Sequence, residues 1–393
     1  MSLKDNFFEH QAQTTPFPYA IEVEKAEGLY IYDKNGKRYT DLISGVSVSN
    51  IGHRHPRVIN AIKKQLDKHM HVMVYGEYIQ DAQANLAKKL ASILPNSLNC
   101  SYFVNSGTEA NEGALKLAKR VTGRSEIVSC HASYHGSTHG SLSVSGNEYK
   151  KYAFRPLLPG VKFINFNVKE DLETITEKTA CVIIEPIQGD AGVRIPTNDY
   201  LVALREKCNQ TGTLLIFDEI QTGFGRTGTM FAFEHYNVVP DILTIAKGFG
   251  GGMPIGAFIA SKKMMEKLTF DPMLGHITTF GGHPVNCAAA LENINVIQDE
   301  KLLEGIETKG ALIEKLLTHS KVKEIRRKGL FFAIEMDSFE TVKSVVEYCM
   351  DKGVIGFWFL SCNNAFRIAP PINITEEEIR EACAVIVEAF ENC

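Results

Sequence analysis

Strong charge of one sign is missing from this sequence. Lys and Arg number 42 against 46 Asp and Glu, a formal net charge of −4 over 393 residues, and no basic block occurs. That leaves no electrostatic footprint for nucleic acid or an anionic membrane. Long hydrophobic runs are missing too. The longest weakly polar stretch, 248–260, is too short and too glycine-rich to span a bilayer. No CxxC pair is present. The nine cysteines are odd in number and scattered, which fits free thiols in a reducing compartment better than a disulfide framework. No N-terminal charged-then-apolar segment resembles a signal peptide, so a cytoplasmic protein is expected. Repeats, linkers and low-complexity tracts are also absent. What is there is 44% apolar and 22% charged, the mix of a globular chain rather than a disordered one. Its length suggests two or three folding units.

The first stretch carries short alternating runs. Residues 28–33 and 37–41, joined by the turn at 33–36, read as a hairpin. From about residue 56 the texture changes. Helix-period segments at 58–68, 79–93, 108–120 and 199–210 alternate with short apolar runs at 101–104, 126–129, 161–164, 181–184, 213–217 and 241–245. Runs apolar on both faces are what a parallel sheet covered by helices requires. The chain therefore reads as α/β, with a large domain over 46–285 built on a mostly parallel central sheet. A long helical stretch at 285–317 leads out of it. The remainder of 286–393 reads as a smaller α+β domain, with strands near 322–336 and 353–369 and helices at 339–352 and 375–391. Thr375 and Glu378 form a capping box for the last of these. Residues 1–45 would join the small domain.

Three places could carry chemistry. Asn105-Ser106-Gly107 joins a strand to a helix. Ser106 can cap that helix, and Gly107 lets the backbone approach a ligand closely, so the first amides suit an anion such as phosphate. An ordinary capped helix start has the same sequence. Asp218 ends an apolar run where α/β sheets bind ligands; a helix cap or loop carboxylate is equally compatible, and the adjacent Glu219 leaves open which of the two points inward. Lys247 stands between the apolar run 241–246 and a glycine-rich bend. If buried, its amine would have a lowered pKa and be free to form a Schiff base; if not, it would snorkel out of the strand end.

Three patterns compete with these. Gly223-x-Gly225-x-x-Gly228 matches a dinucleotide fingerprint in letters only, because five residues separate it from the strand and no helix pattern follows directly. His131, His135 and His139 recur at a spacing that could hold zinc for a hydrolase. Gly136, Gly140 and the surrounding serines and threonines argue against a helix there, so no metal is expected. No serine forms a G-x-S-x-G elbow.

A phosphate cup, a strand-end Asp and a buried Lys together are the parts list for pyridoxal phosphate. The cup holds the ester phosphate, the Asp keeps the pyridine nitrogen protonated, and the Lys makes the aldimine. With those parts in view, eight strings in order identify a family: GHRHP (52–56), NSGTEANEGALKLAK (105–119), YHGST (134–138), EPIQGDAGV (185–193), FDEIQTGFGRTG (217–228), TIAKGFGGGMPIGA (244–257), TTFGGHP (278–284) and FRIAPP (366–371). From about residue 27 onward the chain resembles the class III, fold type I pyridoxal-phosphate aminotransferases, the family of the acetylornithine, ornithine and 4-aminobutyrate enzymes.

The resemblance implies roles. Lys247 and Asp218 would be catalytic, with ping-pong transfer of nitrogen through the Lys247 aldimine. Ser106, Gly107 and Thr108 would bind the phosphate, Tyr134 and Ile220 would flank the ring, and Gln221 would sit near its hydroxyl, with His135 and Glu219 completing the cofactor site. Thr279 would reach the phosphate of a neighbouring subunit, implying a homodimer with a shared site. Arg367 would grip a substrate carboxylate, with Asp190, Glu185, Ser137 and Thr278 around the substrate.

At several places the chain departs from the family pattern. Ser137 stands where acetylornithine and ornithine enzymes carry an Arg for a second carboxylate. Asp190 replaces the family's gating Glu, Ile277 a Gly, and His283 an Asn. Overall similarity still names N-acetylornithine or ornithine as donor and 2-oxoglutarate as acceptor, a step of arginine biosynthesis. A 4-aminobutyrate-type enzyme, an ω-amine:pyruvate enzyme or a glutamate-semialdehyde aminomutase is the alternative. Arg54, His139 and Arg194 are candidates to replace the missing charge.

Overall fold

A computed structural model of the chain describes residues 2–197 and 199–393. Its centre is a seven-stranded sheet. In spatial order the strands are Cys100–Val104, Gly256–Ala260, Ile242–Ile245, Leu214–Asp218, Thr179–Ile184, Glu126–Cys130 and Val161–Ile164. Six are the apolar runs read from the sequence. Gly256–Ala260 is the addition, and it lies antiparallel to both its neighbours while the other pairings are parallel.

Alternation along the strands sends side chains to two separate cores. Ile183, Ile216, Ile242 and Phe258 pack with the helix Gly107–Thr122. Val182, Leu215, Phe217 and Leu243 pack on the other side with Leu86, Leu90, Ala289 and Ile294 from the helices Asp81–Ile93 and Pro284–Asp299. Burial on both faces explains why the central strands carry almost no polar residue until their last position. Those last positions face one edge of the sheet.

The helix Gly107–Thr122 sits unusually close to the sheet. Ser106 caps it by accepting the Glu109 amide, and Gly123 ends it in the left-handed conformation. A Cβ on Gly113 would lie 2.3 Å from the Phe258 ring. That ring is stacked on Tyr102 with centroids 4.9 Å apart, so it has little room to retreat.

A second, antiparallel sheet orders Glu324–Lys328, Phe331–Glu335, Ala365–Ile368 and Phe357–Trp358. The expected N-terminal hairpin forms between Tyr30–Asp33 and Arg38–Asp41, with Val23–Glu27 added outside it. Its fourth strand, Val354–Ile355, comes from the C-terminal third. The Thr375–Glu378 capping box opens Glu376–Asn392 as expected.

One expectation needs correction. The stretch 285–317 is two helices, Pro284–Asp299 and Ile306–Leu316. The break comes at Lys301, whose φ is +50°, with the Leu302 amide returning to Ile297 O and Gly305 following at φ +81°. A left-handed cap usually carries glycine or asparagine, so a lysine there is not an obvious stop. The stretch 131–138 is not helical, as expected, and a short helix, His139–Val144, begins only at the last of the three histidines. Among the described residues, no helix is long and apolar enough to cross a membrane.

The Gly223–Gly228 segment is a buried turn leading to the short 3-10 helix Ala232–Tyr236. The Arg226 guanidinium inside it donates to Leu330 O, Pro370 O and Asn50 Oδ1. It ties the loop after Asp218 to the second sheet.

Gly113→Ala is expected to lower stability by about 1–3 kcal/mol, because overpacking against Phe258 outweighs the improved helix propensity. Urea unfolding measures this, and a variant as stable as the parent contradicts the packing argument.

Candidate active site

A cavity of about 490 Å³ opens at the edge of the central sheet where the strands end. At one end stands the start of the Gly107–Thr122 helix. The amides of Gly107 and Thr108 have no partner among the described residues, as expected for a first turn. The Thr108 hydroxyl is 2.7 Å from that of Thr138. Behind them the Glu112 carboxylate accepts the amides of Gly140 and Ser141 and the Thr138 hydroxyl, which fastens the 136–141 turn to the helix. Glycine is required twice in this cup. A Cβ on Gly107 would lie 2.8 Å from Ile220, and one on Gly136, whose φ is +126°, would lie 2.4 Å from Thr108 Oγ1.

Asp218 lines the same cavity. Its Oδ2 accepts from His135 Nδ1 at 2.8 Å and from Asn111 Nδ2 at 2.8 Å, and its Oδ1 accepts the Ile220 amide at 3.0 Å. Asn111 also donates to His135 O and accepts the Thr244 hydroxyl. Three donors aim the carboxylate and leave it further acceptor capacity. Glu219 is not part of this site, contrary to expectation. Asp218 shares a face with Ile216, so its neighbour turns the other way. Glu219 accepts the Thr222 hydroxyl and the amides of Ala232 and Phe233, and burial pushes its carboxyl up to about 7.

Lys247 follows the strand Ile242–Ile245 and points into the cavity at φ +46°, a strained conformation for a non-glycine residue. Its amine has no hydrogen bond or ion pair among the described residues. Burial first, then repulsion from Arg367, pulls it down to about 8, against the attraction of Asp218, Glu185 and Asp190. Gln221 also lines the cavity, with its Nε2 buried and unpartnered. Glu185 accepts the amides of Tyr134 and Gly189, and burial raises its carboxyl to about 7. Tyr134 is half exposed at the mouth, its hydroxyl 3.3 Å from Ser137 Oγ.

The remaining expected substrate residues lie apart. Arg367 faces an adjoining pocket of about 250 Å³ with Asp41, Ile43, Val46 and Phe357. Asp190 is not paired with it: its two oxygens accept the Leu360 amide and the Ser361 hydroxyl, both at 3.0 Å. Thr278 and Thr279 do not line this chain's cavity. His131 is exposed and distinct from His135, which is committed to Asp218. Among the described residues, no three metal-ligating side chains converge. Arg54, His139 and Arg194 are all exposed and outside the lining.

Asn111, Thr244, Glu112 and Thr138 were not anticipated. Only Asn111 carried a signal, as a polar residue on the apolar face made by Ala110, Ala114 and Ala118.

The residues present fit pyridoxal phosphate. Free amides offer an anion site, an oriented carboxylate faces the cavity, a deprotonable amine stands beside it, and the unpartnered Gln221 Nε2 offers a further donor. Comparison with known proteins agrees. The family model for class III aminotransferases matches residues 10–390. The acetylornithine aminotransferase of Caldanaerobacter subterraneus subsp. tengcongensis is 39% identical over 381 residues, covering 94% of each chain. The [LysW]-aminoadipate semialdehyde/glutamate semialdehyde transaminase of Sulfolobus acidocaldarius is 38% identical, covering 94% of this chain and 95% of its own. The ornithine aminotransferase of Toxoplasma gondii superposes with a TM-score of 0.91 at 31% identity, over 100% of this chain and 96% of that one.

Asn111→Leu leaves Asp218 with one aiming donor fewer and the Thr244 hydroxyl with only the longer contact to Phe217 O. Unmade buried hydrogen bonds cost about 1–3 kcal/mol each, so the dissociation constant for pyridoxal phosphate is expected to rise at least tenfold. Equilibrium titration followed by absorbance reads this, and unchanged affinity shows that Asn111 does not support the carboxylate.

Proposed function

The chain belongs to the class III aminotransferases, and from that premise we propose that it moves the ω-amino group of an ornithine-type donor, N-acetylornithine or ornithine, to a 2-oxo acid. The reading rests on one observation: Lys247 and Asp218, at the ends of neighbouring strands, face a single cavity beside the free amides of Gly107 and Thr108. The donor is supported by what the similar proteins are named for.

Pyridoxal phosphate, when bound, supplies an aldehyde for condensation with amines and a ring that withdraws electrons from the carbon next to the bound nitrogen. The chain's own groups do the rest. The Gly107 and Thr108 amides, at the positive end of a helix, hold an anion. Asp218 presents a negative charge that favours a proton on a nitrogen opposite it. The Lys247 amine, pulled down to about 8 from 10.5 by burial and by Arg367, reaches its free-base form far more readily near neutral pH than an exposed lysine does. Its Nζ can attack a carbonyl, and after release it can take a proton from carbon and return it elsewhere. Glu185 fixes the main chain of Tyr134 at the cavity mouth.

A homodimer belongs to this reading. Met70, Tyr78, Ile79, Met273, Ile277 and Phe280 are exposed, Ile79 completely, and the His71 and Phe280 rings, 5.0 Å apart, join the two segments that carry them. Apolar side chains gathered this way mark an interaction surface. Thr278 and Thr279 lie within that surface, which supports a role for Thr279 at a second copy's phosphate. In the same reading residues 46–285 bind the cofactor, while 1–45 and 286–393 form the smaller domain that carries Arg367. A cytoplasmic setting is supported by nine cysteines, all unpaired.

Lys247→Ala is expected to abolish turnover and the visible absorbance of the lysine-bound cofactor; an unchanged spectrum refutes the assignment. In the cofactor-free protein, the labelling rate of Lys247 by an amine-reactive reagent follows the free-base fraction. It should rise tenfold per pH unit below about 8 and level off above it. Peptide mass spectrometry across pH measures this, and a rate still climbing toward pH 10 shows an unperturbed lysine.

A further inference from the structure

Three histidines gather beside the exposed apolar side chains around Thr278 and Thr279. The rings of His71 and His283 are stacked, with centroids 5.5 Å apart and planes 15° from parallel. Phe280 lies against both, 5.0 Å from His71 and 6.4 Å from His283. His69, just before His71, ends the helix Pro56–Lys68 and acts on His283 through its charge. The segments are fixed from behind. Gln65 donates to His69 O at 3.1 Å, Gln83 to Gly282 O at 2.7 Å, and the His283 amide to Phe280 O at 3.0 Å. The Nδ1 atoms of His69 and His283 are buried without a hydrogen-bond partner.

Nothing nearby neutralises a proton on this cluster. Among the described residues, the histidines that meet a carboxylate are His10, His53, His55 and His135, and none of these three is among them. The charged groups of the neighbouring helices are engaged elsewhere. Asp81 pairs with Lys68 at 2.6 Å, and Arg57 pairs with Glu292 and Asp299 farther along the helix Pro284–Asp299. Glu77, on the segment of His71, is exposed. Burial first, then the charges of His71 and His69, holds the His283 imidazole below its usual 6.5. His283 also stands at the start of the helix Pro284–Asp299 without a side-chain capping bond, where the positive helix end opposes a further positive charge.

Building on the homodimer of the aminotransferase reading, we propose that this histidine cluster makes the pairing of two copies proton-dependent: the copies pair while His71 and His283 are neutral and separate when the stacked rings take up protons. Covering the surface removes water from the rings, and a charged imidazole loses most by this. Two stacked rings in contact also repel when both are charged. The sign follows. Copies that bind protons more readily apart than together are driven apart as pH falls. Assembly is therefore strongest above about 6.5, the usual imidazole value, and weakens below it. The resemblance places an Asn at position 283, a side chain that does not titrate, so the device belongs to this chain rather than to the shared pattern. Thr279, close to His283 in the chain, would leave a second copy's phosphate when the copies part.

The test uses the full chain loaded with cofactor. Sedimentation velocity of a fluorescently labelled sample, from nanomolar to micromolar protein and at constant ionic strength, reads the dimer dissociation constant between about pH 8 and about pH 5.5. It is expected to rise about tenfold or more across that range, reversibly, with an unchanged far-ultraviolet circular dichroism spectrum. His283→Asn should remove most of the rise and leave pairing at pH 8 intact, and His71→Gln should do the same by an independent change. A parent that stays fully dimeric at nanomolar concentration at both ends of the range overturns the proposal alone. So does a rise of equal size in both variants, or loss of secondary structure in step with dissociation. A chain that is monomeric at pH 8 at micromolar concentration removes the homodimer reading and this proposal with it.

Discussion

A lysine amine cannot sit ionised and unpaired inside an apolar protein at neutral pH without cost, and the architecture of this chain is arranged around that problem at Lys247. The amine is pulled toward its neutral form by burial and by the guanidinium of Arg367, and pulled back by Asp218, Glu185 and Asp190. The balance falls near 8, where both protonation states are accessible. These charges come from three parts of the chain: Asp218 from one strand end, Glu185 and Asp190 from the loop after another strand, and Arg367 from a strand of the second sheet. The reactivity of a single nitrogen thus depends on how two sheets are docked.

That docking has its own supports. Arg226 grips the main chain at Leu330 and Pro370 as well as Asn50, so the strand bearing Arg367 is held relative to the loop that follows Asp218. On the other side, Gly113 and Phe258 set how closely the Gly107–Thr122 helix approaches the sheet. Asn111, two residues earlier, reaches Asp218 only because that approach is close. The anion cup and the carboxylate are therefore positioned by one helix, its start by capping and its middle by packing.

Much of this could be read locally. Six of the seven central strands follow from short β-branched runs, and the helix start follows from Ser106 and Gly107. The Gly256–Ala260 strand was hidden by its glycine and alanine content, which resembles a loop. The broken 285–317 helix was hidden because its stop is a left-handed lysine. Glu219 falls outside the site because successive residues at a strand end diverge, and the local sequence does not say which of two adjacent carboxylates faces the ligand.

The order of residue types along the chain was enough to determine the family, the cofactor class and the placing of Lys247 and Asp218 at strand ends. Those depend on strand ends, caps and tight turns, and such features are written within a few neighbouring residues. Tertiary structure alone decided the partners. Asp190 meets Leu360 across 170 positions, and Asn111 meets Asp218 across 107. Contacts at that separation leave no local pattern, since either carboxylate could have bonded elsewhere had the sheets docked otherwise. The unpaired state of Arg367 is the consequence: it follows from where Asp190 went, which only the folded chain records.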